Sequence, residues 1–138
     1  MSKPAGYSGT PLAKKLGIRE NARVLVLNEP EAYRDWLAPV PAGVEFTTDA
    51  EPPLAFVHLF TTSKADLTKR IKRLRKQLAP DGVLWVSWPK KASGVKTDVT
   101  EDTIREVALP AGLVDVKVCA VTDVWSGLKL VIRVAERK

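Results

Sequence analysis

The chain has 138 residues, of which 45% are hydrophobic and 28% are charged, and these values are typical of a globular protein. One cysteine and one histidine exclude an internal disulfide, a cysteine-rich metal site and a His-rich metal site within one chain. No apolar run approaches the roughly 20 residues of a membrane span, and the first residues lack the apolar core of a signal peptide. We therefore expect a soluble, cytoplasmic protein with no metal site and no membrane partner.

The net charge of +6 is concentrated in one segment of the chain. Residues 63–79 contain seven basic residues against one acid, which equals the whole excess, and the other 15 bases and 15 acids cancel. The bases are Lys64, Lys69, Arg70, Lys72, Arg73, Arg75 and Lys76, and the acid is Asp66. A charge this local is weaker evidence for nucleic-acid binding than a broadly basic domain.

In chain order, the pattern predicts a flexible lead over residues 1–9 and then one domain over residues 10–138. Its first half alternates helices with β-branched, apolar strands. Thr10 and Pro11 are suited to open the first helix and Gly17 to end it. The predicted elements are helices at 10–17 and 30–38 and strands at 23–27, 44–47 and 56–60.

The basic segment itself predicts the clearest helix. Ser63 is the expected N-cap, and Asp66 follows three residues later, close to a capping box. An apolar stripe is expected to face the core, and a basic stripe is expected to face solvent. The apolar stripe is Leu67, Ile71, Leu74 and Leu78, and the basic one is Lys69, Lys72, Arg73 and Lys76. A turn at 80–82 then leads to a Trp-rich strand at 83–88.

The last third predicts a polar loop at 89–99, a helix and two strands. Thr100 is the expected cap of the helix, and Leu109-Pro110 its end. Strands are predicted at 114–121 and 128–134, joined by a turn around 123–127. Strands that alternate with helices pair in parallel, whereas two closely linked strands pair antiparallel. We expect an α/β fold, a mostly parallel sheet between two helical layers with an antiparallel C-terminal hairpin at its edge.

Two segments resemble class I methyltransferases over roughly residues 20–135. Residues 78–88 resemble the Leu-x-Pro-Gly-Gly turn between a late helix and strand, and residues 111–118 resemble the last helix and penultimate strand. This resemblance implies a Rossmann-like fold. In those enzymes the first strand leads into a glycine-rich loop where the cofactor approaches the backbone. Here Leu27 is followed by Asn-Glu-Pro-Glu, so we expect no S-adenosylmethionine binding, no methyl transfer and no other cofactor.

A second resemblance is to a bacterial family of small single-domain proteins and spans nearly the whole chain. It is carried by Tyr-Ser-Gly-Thr-Pro-Leu at 7–12, Trp-Pro-Lys-Lys at 88–91, Asp-Val-Lys-Val-Cys-Ala-Val at 115–121 and Trp-Ser-Gly-Leu-Lys at 125–129. It implies the same Rossmann-like fold and carries no activity over to this chain.

Ligands of such sheets bind outside the carboxyl ends of the strands. The N–H groups of the helix after Ser63, nearby hydroxyls and two lysines predict a phosphate or carboxylate site there. The candidate residues are Asn28, Glu29, His58, Thr61, Thr62, Ser63, Trp88, Lys90 and Lys91. The alternative is that Ser63 only caps its helix and the lysines are solvated.

Three single residues are further candidates. His58 could act as a general base with Glu29 as its acid partner, or it could be a hydrogen-bonded core residue. Cys119 alternates within a strand, which favours an unreactive, half-buried thiol. Trp125 falls in the predicted turn at 123–127, where it could form a contact surface.

These patterns favour a non-catalytic binding or regulatory module, with a small anion or another protein as the partner. One alternative is a small-molecule enzyme that uses His58, Glu29 and the loop with Lys90 and Lys91. Another is a nucleic-acid-associated protein that binds weakly and non-specifically through Lys69, Lys72, Arg73 and Lys76. A solvated helix face is the default interpretation of such a basic stripe, and no aromatic residue is interleaved with it to stack on bases.

Overall fold

The structure, a computed structural model, describes residues 10–137, so the predicted flexible lead at 1–9 lies outside the described residues. Helices and strands alternate along the chain, and short 3-10 turns follow β4, α4 and β6. The helices are α1 (Leu12–Leu16), α2 (Tyr33–Leu37), α3 (Lys64–Gln77) and α4 (Glu101–Ala108). The strands are β1 (Arg23–Leu27), β2 (Glu45–Thr47), β3 (Leu54–Phe60), β4 (Leu78–Pro89), β5 (Leu113–Ala120) and β6 (Trp125–Ile132).

The described strands form one sheet in the order β2-β1-β3-β4-β6-β5. The pairs β1–β2, β1–β3 and β3–β4 are parallel, and β6 is antiparallel to both β4 and β5. The predicted fold class is therefore confirmed, including the antiparallel hairpin. The hairpin lies at the edge of the sheet as expected, with β5 as the edge strand and β6 between β4 and β5.

Each face of the sheet carries one apolar core. On one face α1 and α2 cover residues such as Val24, Val26 and Trp85. On the other face α3 and α4 cover Val57, Leu59 and their neighbours. The predicted apolar stripe of α3 lies here, since Leu67, Ile71 and Leu74 are all buried. Burying such side chains, at roughly 1.5–3 kcal/mol each, is what holds the helix on the sheet.

The connection from β2 to β3 is unusually short. Only residues 48–53 carry the chain from β2 across β1 to β3, whereas parallel connections usually need a dozen or more residues and a helix. The loop is tied to α3, because Gln77 Nε2 donates a hydrogen bond to the Ala50 carbonyl over 3.0 Å. A loop in place of a helix leaves an open groove beside α3.

The end of α3 differs from the prediction. The helix ends at Gln77, and Leu78, expected in its apolar stripe, begins β4 and is still buried. Residues 80–82, predicted as a turn, belong to β4, where the pairing with β3 shifts between Leu54 and Phe56. Gly82 permits this irregularity, because a Cβ atom there would lie 2.6 Å from the Leu54 carbonyl oxygen.

Several predicted boundaries shift by a few residues. Helix α1 begins at Leu12 with Pro11, not Thr10, in the N-cap position, and α2 begins at Tyr33 rather than Pro30. The last turn lies at 121–124, so Trp125 begins β6 instead of lying in the turn. Thr122 holds this tighter turn, since its Oγ1 accepts hydrogen bonds from the N–H groups of Val124 and Trp125. Within residues 10–137 no helix is long and apolar enough to cross a membrane.

Candidate functional site

The carboxyl ends of β1 and β3 are bridged by a side chain. Asn28 directly follows β1 and adopts a left-handed backbone conformation with φ of 58°, which asparagine tolerates better than most residues. Its Nδ2 donates a hydrogen bond to the Phe60 carbonyl at the end of β3 over 2.9 Å. The point where class I methyltransferases, which the sequence resembles, have a glycine-rich loop is thus crossed by an asparagine amide.

A carboxylate of the chain itself occupies the space beside this bridge. Asp66 Oδ1 accepts a 3.0 Å bond from Arg70 Nε, and Asp66 Oδ2 accepts a 3.1 Å bond from Thr61 Oγ1. Asn28 joins both partners, since its Nδ2 lies 3.4 Å from Asp66 Oδ2 and Arg70 donates to its Oδ1 over 3.3 Å. An internal anion therefore lies in the region where the sequence predicts an anionic ligand.

Three backbone N–H groups at the start of α3, those of Ser63, Lys64 and Asp66, are also bonded within the chain. Ser63 Oγ accepts from the Asp66 N–H, as predicted for an N-cap, and the Ser63 N–H donates to Thr61 Oγ1. The Lys64 N–H donates to Asp98 Oδ1 over 2.7 Å. Asp98 thus supplies a negative charge to the helix N-terminus, where the helix dipole stabilises it. No local pattern pointed to this residue, because it lies 34 positions away in the loop before α4.

A depression of about 340 Å³ remains at this edge of the sheet. It collects four of the predicted site residues together with three other side chains. Its lining consists of Asn28, Thr61, Thr62, Ser63, Phe60, Asp66 and Trp125. The negative Asp66 in this lining and the bonded N–H groups make the depression a poor receptor for a second anion.

The other predicted site residues do not line this depression. Trp88 is buried in the core on the α3 side, and the Lys90 backbone N–H donates to the Val124 carbonyl over 2.7 Å. Lys91 is exposed at the start of a 3-10 turn. Glu29 forms an ion pair with Arg34 over 3.3 Å. The structure therefore spreads the nine candidates over several separate environments.

His58 lies in the core on the α2 side and is fully buried. Its Nδ1 is 2.9 Å from the Tyr33 hydroxyl, and its Nε2 is 2.7 Å from Ser87 Oγ. Its partners are therefore Tyr33 and Ser87, not the predicted Glu29. Burial lowers the pKa of His58 to about 3 and raises that of Tyr33, to which Glu29 adds a smaller upward contribution. A neutral, enclosed imidazole with both nitrogens bonded cannot reach a ligand at the surface.

Two further candidates are also partly enclosed. Trp125 packs its ring edge-on against Phe60, with 5.0 Å between ring centroids, and is only partly exposed. Cys119 is half-buried, and burial raises the pKa of its thiol more than Lys117 and Lys15 lower it. A raised thiol pKa reduces the thiolate fraction, which is the reactive form.

The outward face of α3, in contrast to the edge of the sheet, carries charged side chains that are exposed and unpaired. Lys64, Arg70 and Arg75 form ion pairs with Glu106, Asp66 and Glu136, respectively. The remaining four bases are exposed, and no acid among residues 10–137 forms a salt bridge with them. These are Lys69, Lys72, Arg73 and Lys76, the residues predicted as a possible polyanion surface. The unpaired charge of the segment is therefore displayed on one face.

This face borders the open groove left by the short β2–β3 connection. The α3 groove has a volume of about 680 Å³, with Leu27, Ala50 and Leu74 among its apolar lining residues. All four unpaired bases line it, and Asp66, Arg70 and Gln77 complete the lining. A second depression also borders helix α3, and Lys69 and Lys72 line both this depression and the α3 groove. Within the described residues, no cluster of three or more His, Cys, Asp or Glu side chains could hold a metal ion.

Comparison with known proteins identifies a family and a fold. Residues 50–134, more than half of the chain, match DUF3052, described as a protein of unknown function. No curated protein is similar enough to match the chain.

Three solved structures illustrate the likeness of fold. A SAM-dependent methyltransferase from Aquifex aeolicus has 14% identity and a TM-score of 0.59, with 88% of this chain and 87% of that chain covered. A putative type 11 methyltransferase from Sulfolobus solfataricus has 13% identity and a TM-score of 0.62, with coverage of 96% and 95%. The Methanococcus jannaschii fibrillarin pre-rRNA processing protein has 12% identity and a TM-score of 0.51, with coverage of 83% and 68%. At such identities the likeness establishes the methyltransferase-like fold alone.

Proposed function

The chain belongs to the DUF3052 family, and we propose that it acts as a non-catalytic binding module for anionic ligands, with its site in the α3 groove. Four unpaired bases along one wall of this groove are the observation that supports the proposal most directly. Each offers an exposed positive charge that no carboxylate among the described residues neutralises. The partly exposed Leu27 and Ala50 add apolar surface that a bound molecule could cover.

The carboxyl edge of the sheet supports the non-catalytic part of this proposal. An active site needs convergent polar groups around a place where the reacting atoms can lie. Here Asp66, Arg70 and Asn28 bond to one another, and His58 is enclosed in the core. The loop after β1 has Asn28 and Pro30 where a glycine-rich turn would approach a cofactor. We take these internal bonds as support for a binding module rather than an enzyme.

We also propose that the protein is bacterial, because the motifs at 88–91, 115–121 and 125–129 are similar to those of small bacterial proteins. We propose the cytoplasm as its location, since a single cysteine without a disulfide partner in the chain is common where thiols are kept reduced. Fractionation of the cells that produce the protein natively tests this location. Recovery from the membrane or the secreted fraction would contradict it.

Thermal unfolding with inorganic tripolyphosphate as the probe tests the proposed site. Binding to the native state raises the melting temperature by mass action. We expect a rise at low salt that is absent from the variant K72E/R73E. The matched control is K14E/R19E, which makes the same change in net charge with exposed residues on the α1 side, and it should keep the rise.

Two results would contradict the proposal. One is a melting temperature that tripolyphosphate does not change, and the other is a rise that persists in K72E/R73E. S-adenosylmethionine serves as a separate probe of the carboxyl edge, and calorimetry should detect no saturable binding at micromolar concentrations. Binding of that cofactor would show that a site exists where Asn28 and Asp66 now close the edge.

A further inference from the structure

We infer that the ligand of the proposed anion site is the sugar-phosphate backbone of duplex DNA, bound without recognition of the bases. This inference rests on the function proposed above. The unpaired bases of α3 form a row rather than a ring. Lys69, Lys72, Arg73 and Lys76 follow one another at intervals of three, one and three residues. At 1.5 Å per residue they extend over roughly 10 Å of helix. A small anion needs donors that converge on one point, whereas a row of charges suits a chain of phosphates.

The side chains around the row argue against single-stranded nucleic acid. Proteins that bind single strands stack the bases on aromatic rings. No aromatic residue lines either of the two depressions that flank the α3 ridge. Lysine and arginine side chains contact phosphates through charge and hydrogen bonds and need no unstacked base. The chemistry of this face therefore fits a duplex, whose backbone is exposed and whose bases stay paired.

The shape of this face favours DNA over RNA among duplexes. Helix α3 stands as a ridge between the α3 groove and the second depression, and Lys69 and Lys72 line both. The major groove of B-DNA, about 12 Å wide, admits an α-helix, with a row of phosphates on each side. The major groove of A-form RNA is too deep and narrow for side chains to enter. Arg73 and Lys76 border the α3 groove alone, and Asp98 lies in the second depression. The ridge can therefore meet one phosphate row of B-DNA with all four bases and approach the other row with Lys69 and Lys72.

The same face has little capacity to distinguish one DNA sequence from another. The Thr68 hydroxyl donates to the Lys64 carbonyl within α3, and the Gln77 amide donates to the loop at Ala50. Both side chains already donate a hydrogen bond within the protein, and Gln77 Oε1 is buried. Because residues outside 63–79 carry no net charge, electrostatic attraction would orient α3 toward the DNA. Phosphate contacts position a protein but carry no sequence information.

Fluorescence anisotropy with a labelled 20-base-pair DNA duplex tests the inference. We expect a dissociation constant on the order of 10⁻⁴ to 10⁻⁶ M at physiological salt, as for other non-specific complexes. Four phosphate contacts predict a slope of log K against log salt of about −3 to −4. The variant K72E/R73E should lower the affinity at least tenfold and bring the slope about 2 closer to zero, since two contacts are lost. The control K14E/R19E should retain most of the affinity and the slope, and circular dichroism should show both variants folded.

Binding measurements with other nucleic acids distinguish the possible ligands. A duplex of scrambled sequence should bind equally, and duplex RNA and oligo-dT should bind more weakly. Tighter binding of either RNA or oligo-dT, strong sequence preference, or equal losses in K72E/R73E and K14E/R19E would overturn the inference. If tripolyphosphate raises the melting temperature but the DNA duplex does not bind at low salt, this inference fails and the proposed anion site stands. If neither binds, both fail.

Discussion

Two regions of α3 contain similar charged side chains and use them in different ways. At its N-terminal end, Asp66 and Arg70 bond to each other and to Asn28, and Asp98 accepts the Lys64 N–H. On its outward face, Lys72 and Arg73 and their two basic neighbours have no carboxylate partner among the described residues. The first arrangement closes the edge of the sheet where related folds bind ligands. The second leaves positive charge available to a partner.

The physical consequences of the two arrangements differ. Groups at the closed edge bond to one another, so their hydrogen bonds contribute to the free energy of folding and are not available to a ligand unless they break. Like charges three or four residues apart on a helix repel by a few tenths of a kcal/mol per pair. The outward bases therefore gain no stability from their arrangement. The stability of α3 comes from Leu67, Ile71 and Leu74 on its other face.

The largest expected effect is a loss of folding stability at acidic pH, and it comes from His58, which lies in the core on the α2 side of the sheet. Its native pKa is about 3, and its unfolded value is about 6.5. Below pH 6.5 the unfolded chain takes up a proton that the native state does not, so stability falls as the pH decreases, by about 1.4 kcal/mol per pH unit. Above pH 6.5 this contribution is constant. Denaturant unfolding at pH 7 and pH 5 should show a loss of about 2 kcal/mol from this residue.

The control for this prediction is H58Q, which keeps hydrogen-bonding capacity and has no titratable ring. We expect H58Q to be less stable than the wild type at pH 7 by about 1–3 kcal/mol, as for a buried hydrogen-bonded group. Its stability should depend less on pH between 7 and 5. An H58Q variant with the same pH dependence as the wild type would show that another group takes up the proton.

Gly127 tests how tightly the residues around His58 are packed. It lies opposite Ser87 in the sheet, and a Cβ atom there would be 3.2 Å from the Trp85 ring and 3.3 Å from Ser87 Oγ. We expect G127A to reduce the free energy of unfolding by about 1–3 kcal/mol, because rigid neighbours must move. The neighbouring S126A, at a half-exposed position, should stay within about 0.5 kcal/mol of the wild type. Equal stabilities of the two variants would mean that the strands relax freely.

Asp66 offers a way to convert the closed edge into an open one. In D66N the charged partner of Arg70 is lost while the size of the side chain is kept. We expect a loss of about 1 kcal/mol in stability, since the pair is partly exposed. We also expect tighter binding of tripolyphosphate, because Arg70 lines the α3 groove and is left without its carboxylate partner. Calorimetry should give a lower dissociation constant than for the wild type. The control D123N removes an exposed carboxylate in the β5–β6 turn, and an equal gain there would assign the effect to net charge.

The smallest expected effect is on the open face. K72E/R73E should change the free energy of unfolding by about 0.5 kcal/mol or less per substitution, because exposed residues without partners contribute little. Urea unfolding at moderate salt measures this difference. A large loss of stability would show that Lys72 and Arg73 contribute to the packing of the groove and are not free to bind a ligand.

Elements with strong local signals could be predicted from the sequence. Ser63 and Thr100 cap α3 and α4, and Gly17 ends α1 with φ of 84°. In each case one side chain or one backbone angle within a few residues decides the outcome. The fold class also followed from the sequence, because helices alternating with apolar strands have few ways to bury their apolar faces. The closeness of the last two strands was enough to predict their antiparallel pairing.

Amino-acid sequence alone thus determined which segments are helix and strand, the class of sheet and which face of α3 carries the bases. Tertiary structure decided which charges are paired. His58 meets Tyr33 and Ser87 over 25 and 29 positions, and Asp98 reaches the start of α3 over 34. Such contacts depend on strand order, on the six-residue crossover at 48–53 and on the position of each loop. Local conformational preferences act over a few neighbouring residues. The closed edge of the sheet and the open α3 groove depend instead on segments that only folding brings together.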